Sequence, residues 1–302
     1  MPALFWALSV ALAVGGFAER ARATFIPENE IRLRSDRSEP ANISEAEFNQ
    51  VIAMLQSHFA PLASAKGGEL NIQGDWASKK LNAGANQMLS SWMVQISGEI
   101  ARQPQLTVDG LTLIVCHELG HHFGGFPLSA ADSPFQGAWA AVEGQADYFS
   151  TQVCARKFWA QDAAKNAQAR ASVKPAAKAG CDRGWGSQGL RDLCYRTAVG
   201  AESVIATMAS LMQKPMPNFA TPDASAVAQT IPGHPGIQCR LDTLFQGTIC
   251  PAKFNQDVIP GKSVAGGIDS LDAEKEAAAN SCAAASGYSL GLRPNCWFRP
   301  RL

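Results

Sequence analysis

The pentapeptide His117-Glu118-Leu119-Gly120-His121 constrains this chain more than any other stretch of its 302 residues. On an α-helix, positions four apart share one face, so both imidazoles can ligate a single ion. Glu118 is turned about 100° from His117, toward where a bound water would sit. The flanks favour that helix: Thr107-Val108-Asp109 offers a start, Leu111, Leu113, Ile114 and Val115 form an apolar run suited to burial, and Gly124-Gly125 supplies a stop. Standing alone, the pattern would also suit a buried helix with two hydrogen-bonded histidines and a surface glutamate.

A catalytic zinc site needs a third protein ligand and an open fourth position. Within Ala140 to Tyr148, Glu143 and Asp147 are four apart and share a face of a second helix, expected over residues 136–160. Glu143 can complete a His₂Glu set, and Asp147 can accept the free ring N–H of a ligand histidine. Without the upstream motif, the same residues read as a solvated acidic face on an Ala-rich helix. A third segment, His234-Pro235-Gly236-Ile237-Gln238-Cys239-Arg240, follows the turn-forming Ile231-Pro232-Gly233. His234 or Arg240 there would steady the oxyanion formed when water attacks a carbonyl; a loop histidine before a structural proline is the alternative. Four of the five histidines fall in these segments, while His58 belongs to an amphipathic N-terminal helix and reads as structural.

These three pieces, in this order, resemble the gluzincin peptidase family of the CAAX prenyl protease, the heat-shock membrane protease and the periplasmic beta-barrel assembly-enhancing protease. The resemblance spans Leu81 to Leu241. It implies His117, His121 and Glu143 as ligands of one zinc ion, Glu118 as general base, Asp147 as the carboxylate behind the ligands, and His234 and Arg240 as the family's His-Pro segment. Asn82-Ala83-Gly84-Ala85 is similar to the family's short strand before the active-site helix, which implies an edge that binds substrate backbone. Two departures stand out. The interval from His121 to Glu143 is shorter than in the larger members, suggesting a minimal core, and the transmembrane helices of the prenyl and heat-shock branches are missing. A soluble secreted branch fits better, and prenylated substrates are not expected.

The chain carries 26 basic and 26 acidic residues with no basic stripe, which argues against nucleic acid or an anionic membrane as partner. Leu4 to Phe17 is apolar but short for a span, and small residues at Ala18 and Ala21-Arg22-Ala23 suit signal cleavage. No Lys or Arg precedes that stretch, so a short hydrophobic anchor is the alternative. Eight cysteines agree with export into an oxidising compartment. They allow 105 pairings. Short loops suggest Cys181 with Cys194, Cys239 with Cys250 and Cys282 with Cys296, leaving Cys116 and Cys154 to join the two zinc-bearing helices.

The expected fold is α+β and mostly helical: a zincin-like core with a small sheet, an active-site helix and a glutamate-bearing helix, stapled by disulfides. Ser44-Glu45-Ala46-Glu47 resembles a capping box ahead of Phe48, Val51, Ile52, Leu55 and Phe59 at helical spacing. Leu70 with Ile72, and Trp92 with Val94 and Ile96, alternate as strands around Asn82–Ala85, and residues 196–214 suggest a further helix. Residues 160–186 read as an exposed linker or insert. The expected organisation is a signal peptide over 1–23, a zinc metallopeptidase domain over 24–260 with its core at 81–241, and a cysteine-containing cap over 261–302. The expected activity is zinc-dependent endopeptidase cleavage of peptide or protein substrates, secreted and without stable membrane insertion, with the periplasm the expected compartment. The alternative is a quality-control or assembly factor that binds client proteins on the same fold with latent proteolysis.

Overall fold

A computed structural model describes residues 23–27, 42–129, 137–264 and 267–302. The expected signal peptide lies outside these residues except for Ala23. The chain is an α+β protein, mostly helical, with a small sheet and four disulfides.

The sheet runs β1 (Ala23–Thr24), β2 (Glu69–Asp75), β3 (Ala83–Met88) and β4 (Ser91–Ser97), in the spatial order β1-β3-β4-β2. β4 lies antiparallel to β3 and parallel to β2, and the two-residue β1 lies antiparallel on the outer edge of β3. Leu70, Ile72, Trp92, Val94 and Ile96 are buried in alternation, as their period of two requires. The helix α1 (Glu45–Ser64) opens on the expected capping box: Ser44 Oγ accepts the Glu47 N–H at 3.3 Å and Glu47 Oε2 accepts the Ser44 N–H at 2.9 Å. Phe48, Val51, Ile52, Leu55 and Phe59 form its buried face.

After the short turn α2 (Gly98–Ala101), the motif helix α3 (Val108–Phe123) starts where Thr107 caps it, its hydroxyl accepting the Gly110 N–H at 3.1 Å. From Gly110 to Phe123 every side of α3 is buried, so it is the central rod of the core. The next helix, α4 (Glu143–Phe149), starts later than the expected 136–160. Gln136 lies outside the described residues, and 137–142 are not helical. Ala141 bridges to Leu128, its N–H donates to the His121 carbonyl at 2.9 Å and its own carbonyl accepts the His121 ring, so its polar groups are taken before a helix can use them. From Phe149 the chain continues as a wide π-helical stretch, Ser150–Ala155, and then α5 (Arg156–Trp159).

Gly120, a variable position of the motif, marks the crossing of α3 and α4. A Cβ there would lie 2.8 Å from Ala146 Cα and 2.9 Å from Ala146 O, closer than packed atoms allow. Only a glycine lets the two helices approach this far.

The expected linker over 160–186 is helical instead, forming α6 (Ala163–Gln168) and α7 (Pro175–Gly184) against the long α8 (Gln188–Met212). Its buried face is made of Asn166, Ala169, Ala177 and Cys181, small or polar residues that give little hydropathy signal. Two further helices follow, α9 (Ile237–Ile249) and α10 (Leu271–Ala278).

Cys116 pairs with Cys154 and Cys181 with Cys194, as expected. The other two pairs are exchanged: Cys239 joins Cys296 and Cys250 joins Cys282. The reason is helical geometry. Cys239 and Cys250 stand near opposite ends of α9, about 16 Å apart at the helical rise, beyond a disulfide's reach. Both bonds therefore tie α9 to the C-terminal tail. There Trp297 packs with Phe126, Val142, Ala273, Ala277 and Phe298, lying flat on α4 where a Cβ at Gly144 would stand 2.3 Å from its ring. Among the described residues no cysteine is free and no helix is long and apolar enough to cross a membrane. The four disulfides suit an oxidising compartment.

Candidate metal centre

The crossing of α3 and α4 brings His117, His121 and Glu143 together. Glu143 Oε2 is 3.2 Å from His117 Nε2, and Glu143 Oε1 is 3.8 Å from His121 Nε2. Glu118 belongs to the same group, with ligand atoms of His117, Glu118 and His121 all within 4.8 Å of one another. All of this is buried: His117 and His121 are 1 % exposed, Glu118 0 % and Glu143 5 %.

The outer nitrogen of each ring is held. His117 Nδ1 meets Asp147 Oδ1 at 2.7 Å, and His121 Nδ1 meets the Ala141 carbonyl at 2.7 Å. With Nδ1–H donating in each case, both Nε2 lone pairs face inward. Those two Nε2 atoms, both oxygens of Glu118 and Oε2 of Glu143 are buried without a hydrogen-bond partner. Buried polar atoms are almost always satisfied, so five acceptors left together indicate a missing positive centre. The group could hold a metal ion.

Asp147 is itself clamped. Arg240, from α9, donates through Nε to Oδ2 at 2.7 Å and through Nη2 to Oδ1 at 2.8 Å. Burial opposes ionisation of Asp147, but Arg240 and His117 outweigh it and hold its carboxyl well below the usual range. Burial likewise opposes a charged ring at His117, yet Asp147 and Glu143 lift it to about 9, so that without a cation a proton on Nε2 faces Glu143 and a bound metal would take its place, whereas burial pushes His121 down to about 4. The two glutamates are driven apart. Burial pushes Glu118 up to about 8, while at Glu143 the nearby imidazoles overcome burial and hold the carboxyl down at about 2. Paired carboxylates set to different protonation are a common arrangement where protons are moved.

His234 stands on the loop before α9, with Nε2 3.4 Å from Glu143 Oε2 and in contact with the Thr24 carbonyl oxygen. Of the Asn82–Ala85 segment, Ala83–Ala85 form the start of β3 and Asn82 immediately precedes it; the outer edge is paired with β1, Thr24 opposite Gly84 and Ala23 opposite Ala85. His122, adjacent to the ligands in sequence, faces away: its ring is stacked between Trp92 and Trp139, and burial pushes it down to about 3. His58 packs edge-on against Phe59 and Phe158, clear of the centre.

Two participants were not expected. The Ala141 carbonyl has no side-chain signature at all. The Thr24-Phe25 segment leaves only a faint one, the apolar pair Phe25-Ile26 between the small-residue cleavage candidates and a polar stretch. A second gathering of ligand-type residues, Asp223 with Cys239 and Cys296, is discounted because both sulfurs form a disulfide.

No protein-family model matches the chain, and comparison with curated proteins and with solved structures returns no match.

Proposed function

We propose that this chain is a zinc-dependent metalloendopeptidase on a zincin-like core of the gluzincin type, with His117, His121 and Glu143 holding one zinc ion. The observation that carries this reading is the inward convergence of two pinned imidazoles with the carboxylates of Glu118 and Glu143, five of whose buried polar atoms have no hydrogen-bond partner. Zinc bound by a His₂Glu set supplies Lewis acidity, polarising a carbonyl and making a water nucleophilic near neutral pH.

The chain's own residues do the rest. Glu118, one position along the helix from His117 and with both oxygens unpartnered, would be held in its ionised form by a cation at the ligands, and that carboxylate takes the proton of the attacking water and passes it to the leaving amine. His234 donates Nε2–H to the carbonyl oxygen as it gains charge, in the manner of its contact with the Thr24 carbonyl. Arg240 fixes Asp147, and Asp147 fixes the His117 ring. The substrate is an extended peptide whose backbone pairs with the outer edge of β3 at Asn82–Ala85. Four disulfides, with no membrane-crossing helix among the described residues, support a secreted enzyme, and the family resemblance adds the periplasm.

One observation favours a second reading. The site is covered, with Glu118 0 % exposed, as a client-binding factor with latent proteolysis would have it.

Metal analysis of the purified protein, together with casein cleavage by wild type and Glu118→Gln with and without a chelator, tests the proposal. About one zinc per chain, and cleavage lost in both the variant and the chelated sample, is the expected result. Zinc without wild-type cleavage would favour the latent factor, and a chain that takes up no zinc would end the metal assignment.

A further inference from the structure

The first described residues of the chain lie in the cleft that the peptidase reading reserves for substrate. Phe25 donates its N–H to the Ala83 carbonyl at 3.1 Å, and the register places Thr24 opposite Gly84 on β3. The next two contacts are with the centre itself. His234 Nε2, 3.4 Å from the Glu143 carboxylate, meets the Thr24 carbonyl oxygen, and Arg240 Nη1 donates to the Phe25 carbonyl at 2.5 Å. The Phe25 side chain is 2 % exposed. Its ring stands edge-on to His117 with centroids 5.2 Å apart, and the Arg240 guanidinium lies 4.7 Å above it.

These contacts are the ones a bound peptide requires: backbone pairing to an edge strand, a carbonyl held by a donor beside the ligand cluster, and the following side chain seated against a ligand ring. A two-residue strand gains little from sheet pairing alone. Here its partners are chiefly side chains of the centre. The segment also accounts for the closure of the site, since a hydrolytic centre needs an open position and this one is sealed.

We propose that Thr24–Pro27 occupies the cleft in the register of a substrate, with Phe25 in the pocket for the residue after the scissile carbonyl. Substrates are then extended peptides with an aromatic residue immediately after that carbonyl, and they enter only when the segment withdraws. This rests on the peptidase reading above, and it adds a substrate class and a cause of latency. The pocket suits an aromatic ring because it offers an imidazole edge on one side and a guanidinium face on another.

The test uses the full chain with a recognition sequence for a specific protease inserted after Pro27, so that the cut is made after folding. A fluorescent Ala-Thr-Phe-Ile-Pro peptide is then titrated, in the presence of a chelator, into uncut protein and into cut protein freed of the released piece. The cut form should bind at least about 10-fold more tightly, because the uncut cleft is mostly filled. Replacing Phe by Ala in the peptide should weaken binding at least about 10-fold. With zinc restored, the cut form should cleave a peptide library faster than the uncut form, with Phe, Tyr or Trp after the cut. Phe25→Ala in the uncut chain is a second route that should admit the labelled peptide.

Equal binding by cut and uncut protein, or no preference for Phe over Ala, overturns the inference even if casein is cleaved, and the peptidase reading survives. Tight, aromatic-selective binding with no cleavage by either form upholds the occupied cleft while removing the peptidase reading. A folded Phe25→Ala chain that still excludes the peptide counts against the inference as well.

Discussion

Of the arginine–aspartate forks among the described residues, the two that grip α3 and α4 differ in what lies behind the carboxylate. Arg196 on α8 grips Asp109, at the start of α3, with two hydrogen bonds of 2.8 Å; Arg240 on α9 grips Asp147 on α4 with bonds of 2.7 and 2.8 Å. Each guanidinium also covers an aromatic ring, Trp159 at 4.5 Å and Phe25 at 4.7 Å. The Asp109 side chain is 19 % exposed, and Arg196 turns its remaining donor to Asp162 and Asn166, so that fork ties helices together. Asp147 is fully buried and accepts a third bond from His117. The same fork, sealed from water and given an imidazole on its far side, becomes the device that aims a candidate ligand.

Asp147→Asn should break that distinction most severely. The variant keeps the shape but leaves the buried Arg240 charge uncompensated, a loss of roughly 3–5 kcal/mol of stability. It also weakens the acceptor that orients His117, which should lower metal affinity roughly 10–100-fold. Denaturant unfolding and competition with a chelator measure the two effects separately. Unchanged metal affinity would mean that this fork is structural, like its counterpart.

Gly120→Ala tests the same region without touching either fork. Alanine favours a helix over glycine by about 1 kcal/mol. Against that, the new Cβ would meet the Ala146 backbone, which cannot rotate away as a side chain can. Overpacking of this kind costs typically about 1–3 kcal/mol, so the net expected change is destabilising, with reduced metal retention as α4 is pushed off. A calorimetric melt with metal analysis decides it, and a neutral result would show slack between the two helices.

The elements that were legible in advance are those whose signal is local. The capping box at Ser44, the start of α3 at Thr107 and its stop near Gly124 each depend on residues within a turn of one another. The shared faces of His117 with His121 and of Glu143 with Asp147 were legible because side chains spaced by four on a helix lie together, whatever the rest of the chain does. What escaped depends on segments far apart in sequence. Cys239 and Cys250 look like neighbours until a helix separates them, and the helix carrying Glu143 starts late because Ala141 is engaged by His121. Phe25 reaches the centre through pairing with a strand nearly sixty residues on, and nothing within its own neighbourhood announces that.

Arg196→Met sharpens the comparison from the other fork. It removes the two hydrogen bonds to Asp109 together with those to Asp162 and Asn166, while keeping much of the stem that covers Trp159, and Asp109 retains Lys165 at 3.6 Å and access to water. The expected loss is about 1–2 kcal/mol in a urea titration, smaller than for Asp147→Asn because the stranded carboxylate is not sealed. Metal content should not change. A fall in bound metal equal to that of the Asp147 variant would show that α3 transmits strain along its whole length, and the two forks would then be one system.

The smallest effect is expected at His122, the imidazole beside His121 that no acceptor turns toward the centre. Its ring stacks between Trp92 at 5.3 Å and Trp139 at 5.0 Å, and its Nε2 reaches the Met93 carbonyl at 3.2 Å. His122→Phe loses that hydrogen bond, worth about 0.5–1.5 kcal/mol. It gains the burial of a ring with no polar nitrogen to desolvate, and the unpartnered Nδ1 disappears. The two changes should nearly cancel, leaving stability within about 1 kcal/mol of wild type and metal content the same. Parallel metal analysis of His121→Phe, which should bind none, makes the pair decisive. Neighbouring rings on one helix differ in role because one has Ala141 and Glu143 on either side and the other has two indoles. Loss of metal from His122→Phe would place this ring in the centre after all and remove the orientation argument on which the comparison of the forks depends.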